Sequence, residues 1–156
     1  MTQTLLPSID RQYQDNVRDL LDAAKKGDLK GVRDYIEATT KEKLLPVDAC
    51  DETTKEQAIH RAADGGQVEI LQFLVSKKPA LVNGAIDDQG FTPLFHAAFA
   101  GKLDAVKFLV ENGKASLKKK DKFGRMAKDM AASQGHAAVL NYLQNAKDLS
   151  SSCCCC

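Results

Sequence analysis

A pair of adjacent alanines followed three residues later by a glycine recurs four times along this chain. The copies are Ala23-Ala24 with Gly27, Ala62-Ala63 with Gly66, Ala97-Ala98 with Gly101, and Ala131-Ala132 with Gly135. Successive glycines are 39, 35 and 34 residues apart. A period of roughly 20 to 50 residues is typical of stacked repeats, in which one unit cannot bury its apolar face alone. The sequence therefore predicts an array of small helical units.

The most regular unit spans residues 87–113. Asp87 and Gly90 indicate a tight turn, and Pro93 fits the first position of a helix, where its missing N–H is not needed. Thr92 can cap that helix, and Gly101 can end it because glycine accepts the left-handed conformation. A second helix should follow, closed by a glycine; its apolar residues at helical spacing are Val106, Leu109 and Val110.

Three short motifs show what this unit is similar to. They are Phe91-Thr92-Pro93-Leu94, the histidine-containing Ile59-His60-Arg61-Ala62-Ala63, and Gly135-His136. They resemble the signature of the ankyrin-repeat family, whose unit is a β-turn and two antiparallel helices with a period of about 33 residues. The resemblance implies an all-α fold, an ankyrin-repeat solenoid of stacked helix-turn-helix units with short β-turn fingers.

The resemblance also predicts how the chain is divided. We expect four repeats at about 16–38, 57–83, 87–113 and 121–146, with the first and last acting as caps. A lead-in of residues 1–15 and a tail of residues 147–156 flank them. The extended connection 39–56 is expected to replace the usual Asp-x-x-Gly turn, with Leu44, Leu45 and Val47 holding it to the array. It is either a longer connection or a partner-specific finger.

The charge balance and the N-terminus exclude several classes of protein. With 22 basic and 21 acidic side chains the formal net charge is +1, so nothing points to nucleic acid. Residues 1–7 lack the basic and apolar segments of a secretory signal, and no stretch reaches the length of a membrane span. We expect a cytoplasmic monomer.

No group of residues predicts catalysis or a cofactor. His60, His96 and His136 fall on or beside the family's structural histidine positions, and Cys50 has no histidine at a spacing that indicates an activated thiolate. Neither a phosphate-binding glycine loop nor a C-x-x-C metal motif is present. We therefore predict a non-enzymatic protein without a bound metal in the repeats.

In an ankyrin array, the resemblance implies that function lies on the concave face, formed by the turn tips and the exposed positions of the first helices. The residues that map there are Lys25, Lys26, Asp64, Asp88, Gln89, Phe91, Phe99, Lys122, Phe123, Arg125, Ser133 and Gln134. The phenylalanines favour a protein-binding groove centred on Phe91, Phe99 and Phe123, since aromatic residues are enriched at interface hot spots. The alternative is local packing between adjacent turns.

The basic run Lys118-Lys119-Lys120 precedes the last repeat. It is either a solvated turn or a contact with an acidic partner or an anionic membrane surface.

Four consecutive cysteines, Cys153, Cys154, Cys155 and Cys156, follow a short polar spacer. They resemble acceptor sites for palmitoylation or for double geranylgeranylation, and stable membrane attachment needs two such signals. The alternatives are a metal- or redox-responsive cluster and a tail without a function. The predicted function is accordingly an adaptor tethered at a cytoplasmic membrane surface, with a soluble binding module or inhibitor as the alternative. Delivery by an intracellular bacterium is also open, because ankyrin repeats and host-lipidated tails occur among secreted bacterial effectors.

Overall fold

The computed structural model describes residues 6–37 and 45–146, with side chains from residue 11 onward. This part of the chain is helical and contains no strand, only an isolated bridge between Cys50 and Gln57. The predicted all-α fold class is thereby confirmed. The helices are α1 (Leu6–Lys26), α2 (Leu29–Ile36), α3 (Ala58–Gly65), α4 (Val68–Lys77), α5 (Leu81–Gly84), α6 (Pro93–Phe99), α7 (Leu103–Glu111), α8 (Ala127–Ser133) and α9 (Ala137–Asn145).

The helices form two rows. The inner helices α1, α3, α6 and α8 pack on one another in chain order, and each packs against the outer helix that follows it: α2, α4, α7 or α9. The alanine pairs of α3 and α6 have no exposed surface, so the inner helices approach closely. At Gly65 the approach requires glycine, because a Cβ there would lie 2.3 Å from the Lys25 carbonyl oxygen.

The repeated glycines end the inner helices as predicted. Gly27, Gly66, Gly101 and Gly135 all have positive φ, between 70° and 88°. The outer helix α7 ends at Glu111, two residues before Gly113, and Lys114 takes the left-handed conformation after it, with φ of 57°. At the other end, α1 begins at Leu6, so the predicted lead-in 1–15 is largely continuous with the first helix.

Three turns project from the inner helices, which we name finger 1 (residues 51–56), finger 2 (residues 87–91) and finger 3 (residues 121–125). In each, the N–H of the leading aspartate donates to the carbonyl of the last residue, at 2.9 to 3.1 Å. The Oδ1 atom of that aspartate accepts two backbone N–H groups within the finger, at 2.7 to 3.0 Å. The leading aspartates are Asp51, Asp87 and Asp121.

Finger 1 corrects the prediction for the connection 39–56. That connection was expected to replace the Asp-x-x-Gly turn, but Asp51 rebuilds it with one residue more, and Lys55 takes the left-handed conformation at φ of 57°. Leu45 is buried and Val47 half-buried against the core, as predicted, while Leu44 lies outside the described residues. The segment from Asp51 therefore belongs to the second helix pair.

Backbone hydrogen bonds join the fingers in a row. The Asp88 N–H donates to the Thr54 carbonyl at 3.0 Å, and the Lys122 N–H donates to the Gln89 carbonyl at 3.2 Å. The fingers and the inner helices consequently line one continuous face.

Candidate functional site

We define the finger face as fingers 1–3 together with the exposed residues of the inner helices. It corresponds to the concave face expected from the sequence. Most of the predicted partner-binding residues are exposed on it, whereas Asp64 and Phe91 are half-buried. The exposed ones are Lys25, Lys26, Asp88, Gln89, Phe99, Lys122, Phe123, Arg125, Ser133 and Gln134.

One row of these residues follows the C-terminal ends of the inner helices. Lys25, Asp64, Phe99 and Ser133 occupy the same position relative to the four alanine pairs. Lys25 Nζ lies 2.8 Å from Asp64 Oδ2, so the first two are paired with each other. Phe99 is 49% exposed. This row therefore offers one aromatic ring between an ion pair and a polar end.

A second group lies at finger 3. Phe123 is 70% exposed, an unusual position for a large apolar side chain. The Arg125 guanidinium carbon lies 4.9 Å from the ring centre of Phe123 and 6.0 Å from that of Phe91. Arg125 Nε also donates to Asp121 Oδ2 at 2.8 Å. The guanidinium thus lies near two aromatic rings and is bonded to a carboxylate that is itself fixed in the finger.

Phe91 differs from the other two phenylalanines. Its ring stacks on the buried Phe95, with centroids 5.5 Å apart and planes 7° from parallel, and meets His96 edge-on. Local packing accounts for much of this side chain. The ring surface left exposed for a partner lies on Phe99 and Phe123.

A polar cluster joins fingers 1 and 2 to the helices behind them. Asp87 Oδ2 lies 3.1 Å from His96 Nε2, and Glu56 Oε2 lies 2.7 Å from Arg61 Nη2. Burial alone would raise the pKa of Asp87, but the hydrogen bond from His96 and the backbone N–H groups of Phe91 and Gln89 outweigh it and lower that pKa. The carboxylate is therefore ionised at neutral pH and holds finger 2 to α6.

His60 completes this cluster beneath finger 2. Its Nδ1 accepts the Gln57 N–H at 3.0 Å, and its ring lies 5.1 Å from that of His96. Burial lowers the pKa of His60 to about 4, and the nearby His96 adds to this, although the Asp87 carboxylate opposes it. His60 is accordingly a neutral, buried helix cap at physiological pH, in line with the structural role predicted for it.

Three side chains in the cluster have the chemistry of metal ligands. Glu56, Asp87 and His96 bring one ligand atom each to within 4.8 Å of one another. Asp87 and His96 already contact each other, however, and Glu56 is neutralised by Arg61. These contacts make the group an ion-pair and hydrogen-bond network, in which the positive charge of Arg61 disfavours a cation.

Glu56 and Arg61 were missed by the sequence interpretation. Alignment of the repeats on their alanine pairs places Glu56 with Phe91 and Arg125, and Arg61 with His96. This alignment of the repeats could have identified both residues from the sequence.

The remaining predicted residues fall into two groups. Lys118, Lys119 and Lys120 are exposed on the segment entering finger 3. Cys153, Cys154, Cys155 and Cys156 lie outside the described residues. Among the helices that the structure describes, none is long and apolar enough to cross a membrane.

Comparison with protein families gives one family model, ankyrin repeats in three copies, matched by residues 20–121. The chain is also similar to the probable 26S proteasome regulatory subunit p28 of Saccharomyces cerevisiae, 38% identical over 76 residues, which cover 49% of this chain and 33% of the relative. The 26S proteasome non-ATPase regulatory subunit 10 of Dictyostelium discoideum is 37% identical over 95 residues, covering 61% and 38%. The matches thus span about a third of the length of these curated relatives.

Among solved structures, the fold is similar to that of a chain in the crystal structure of the yeast ribosomal protein Rps3 in complex with its chaperone Yar1. The TM-score is 0.71 at 28% sequence identity, and the superposition covers 83% of this chain and 89% of that one. The human DNA-binding protein RFXANK is a further relative, 35% identical over 75 residues that cover 48% of this chain and 28% of RFXANK.

Proposed function

Because the chain belongs to the ankyrin-repeat family, we propose that it is a non-catalytic adaptor that binds a protein partner on its finger face. The observation that supports this most directly is the exposure of Phe99 and Phe123 on that face, 49% and 70%, while the alanine pairs of α3 and α6 are buried between the inner helices. Exposed aromatic rings amid charged side chains are typical of interface hot spots.

We further propose that α8 and α9, which lie beyond the matched range, form a fourth, capping repeat.

The relatives support the class of activity. The similar structure is described as a chaperone in complex with a ribosomal protein, and the two proteasome proteins are described as regulatory subunits. Each description concerns an assembly of proteins. It does not identify the partner of this chain.

Crosslinking in cells tests the binding face. We expect a variant with Lys26→Ala, Phe99→Ala and Phe123→Ala to lose partners that the parent crosslinks. The matched control carries Gln72→Ala, Lys107→Ala and Gln144→Ala on the outer helices, where all three side chains are exposed, and should retain them. Equal recovery by both variants would exclude the finger face as the binding surface.

We also propose that Cys153 to Cys156 carry lipid and tether the adaptor to a cytoplasmic membrane surface. Each buried methylene contributes about 0.8 kcal/mol, and a single acyl chain binds only marginally, so several neighbouring acceptors suit stable attachment. The family likeness does not cover this cluster, and the proposal depends on its composition alone.

The intact mass of protein isolated from eukaryotic cells tests the tether. We expect an added mass that is absent when all four cysteines are changed to serine. Loss of that mass on hydroxylamine treatment would identify thioesters, and resistance would identify thioethers. An unmodified mass in both proteins would contradict the tether and leave the finger-face proposal unaffected.

A further inference from the structure

We infer that finger 3 binds an acidic segment of the partner protein that places an apolar side chain beside its carboxylates. This inference rests on the proposed function and names the chemistry that the finger face recognises. It depends on three features of the described residues: the segregation of charge along the fingers, the fixed position of Arg125, and the exposure of Phe123.

Charge is segregated between the two ends of the finger row. Residues 118–125 carry five basic side chains and one acidic one, whereas residues 48–56 carry four acidic and one basic. Finger 2 contains Asp87 and Asp88 and no basic residue. Part of this acidic charge is paired, since Glu56 contacts Arg61 and Asp51 lies near Arg18. The formal net charge of +1 therefore conceals a finger row whose basic charge is concentrated at finger 3, next to the exposed Asp88 of finger 2.

The single acidic side chain at finger 3, Asp121, is bonded within the finger and leaves the positive charge of its neighbours available to a partner. Asp121 is 7% exposed; its Oδ1 accepts the Phe123 and Arg125 N–H groups and its Oδ2 accepts Arg125 Nε. Lys122 reaches the other way, and its Nζ donates to the Asp88 carbonyl oxygen. The side chain of Arg125 is 46% exposed and is therefore accessible to a partner.

The position of Arg125 makes it suitable for recognising a carboxylate. A guanidinium offers a planar set of donors that pairs with a carboxylate through two hydrogen bonds. Here the guanidinium already contacts the ring of Phe123, lies 6.0 Å from that of Phe91, and is bonded to Asp121. A side chain that is ordered before binding loses less conformational entropy on complex formation.

Phe123 supplies the apolar half of the site. A ring that is 70% exposed beside a fixed guanidinium can cover an aliphatic or aromatic side chain of the partner, while Arg125 and the neighbouring lysines bind carboxylates. The expected ligand is therefore a segment in which Asp or Glu residues flank a large apolar residue.

The charge pattern favours a protein segment over an anionic membrane. Neighbouring inner helices are separated by about 8 to 10 Å, so a negatively charged plane at finger 3 would also approach the acidic finger 2. That distance is close to the screening length of about 8 Å at physiological salt, so the repulsion from the exposed Asp88 of finger 2 is weakened but not abolished. A short acidic segment can end at finger 3 and avoid this repulsion.

Selection of peptides from a random display library on the immobilised full chain tests the inference. We expect the selected peptides to be enriched in Asp and Glu around an aromatic or aliphatic residue. A fluorescently labelled copy of the best peptide should bind the Arg125→Ala and Phe123→Ala variants about tenfold or more weakly than the parent, and its affinity should fall with added salt. Phe123→Ala separates loss of binding from loss of folding, because the ring of Phe123 lies largely outside the core.

Two further variants give controls. Arg125→Lys keeps the charge but loses the planar donor set, so it should bind weakly, whereas Lys107→Ala on α7 should bind like the parent. Selected peptides without an acidic bias, or peptides insensitive to both finger 3 substitutions, would overturn the inference. If Phe99→Ala abolishes peptide binding and the finger 3 substitutions do not, the proposed function stands and the assignment to finger 3 is wrong.

Parallel measurements test two other ligands for finger 3, an anionic membrane and a second copy of the chain. Cosedimentation with phosphatidylserine vesicles that is lost in Phe123→Ala, without an acidic bias in the peptides, would assign finger 3 to a membrane and overturn the inference. Salt-sensitive self-association in sedimentation velocity, lost in Arg125→Ala, would assign finger 3 to the acidic fingers of a second copy. Both measurements use the chain with Cys153 to Cys156 changed to serine, so that a lipid on the tail does not contribute, and we expect monomeric behaviour and no vesicle binding.

Discussion

Replacing Phe95 with alanine is expected to lower the free energy of unfolding by about 3 to 5 kcal/mol. Phe95 is 1% exposed, lies in the inner helix α6, and supports the stacked ring of Phe91. The substitution removes a large buried side chain and leaves a cavity between neighbouring helix pairs, which the stacked backbone cannot readily close. Equilibrium unfolding in urea, followed by circular dichroism, measures the loss.

Phe99→Ala is the matched control, because it makes the same change in the same helix. Phe99 is 49% exposed at the end of α6, so its truncation should change the unfolding free energy by only about 0.5 kcal/mol. The same substitution should impair partner binding. Equal destabilisation by the two variants would contradict the assignment of Phe95 to the core and Phe99 to the finger face.

Acidification from pH 7 to pH 4 is expected to remove about 3 kcal/mol of stability through His60. The pKa of His60 falls from 6.5 in the unfolded chain to about 4 in the folded protein, chiefly because the ring is buried. Between these values the unfolded chain binds the extra proton, so stability decreases as the pH falls, by about 1.4 kcal/mol for each pKa unit. The lowered pKa of Asp87 acts mainly below this window, where its carboxylate becomes protonated.

His60→Asn separates this effect from general acid unfolding. The Asn Oδ1 atom can replace Nδ1 as the acceptor of the Gln57 N–H, but the amide does not titrate. The variant should be less stable at pH 7 and should show a smaller loss between pH 6.5 and pH 4. Unfolding free energies at several pH values measure this, and an unchanged slope would show that His60 does not carry the effect.

The parts of the fold that follow local rules could be predicted from the sequence. The start of α6 at Pro93 and the left-handed glycines at the ends of the inner helices depend on one or two residues each. The Asp87 turn is equally local, since its carboxylate bonds within the same finger. Such features need no knowledge of the rest of the chain.

Finger 1 could not be predicted in the same way. Its turn uses Lys55 in the left-handed conformation, which lysine does not favour. The loop closed by its backbone hydrogen bond is also one residue longer than the loop of finger 2. The Asp51 carboxylate bonds within the finger as Asp87 does in finger 2. The Thr54 carbonyl also accepts the Asp88 N–H of the next finger, a tertiary contact that the residues of finger 1 alone do not indicate.

In the candidate site, too, some features could be predicted from the sequence and others depend on tertiary contacts. Repeat register placed Phe91, Phe99 and Phe123 near the finger face, but only the structure distinguishes the ring that packs on Phe95 from the two that remain exposed. The proximity of Arg125 to the rings of both Phe91 and Phe123 likewise depends on the contact between fingers 2 and 3. Residue type alone carries no information on such contacts.

The most direct test of partner binding on the finger face is hydrogen–deuterium exchange of the chain with and without a partner recovered by crosslinking. We predict new protection in fingers 2 and 3 and at the C-terminal end of α6, with little change in the outer helices α7 and α9. Protection confined to the outer helices, with the fingers unchanged, would contradict the account.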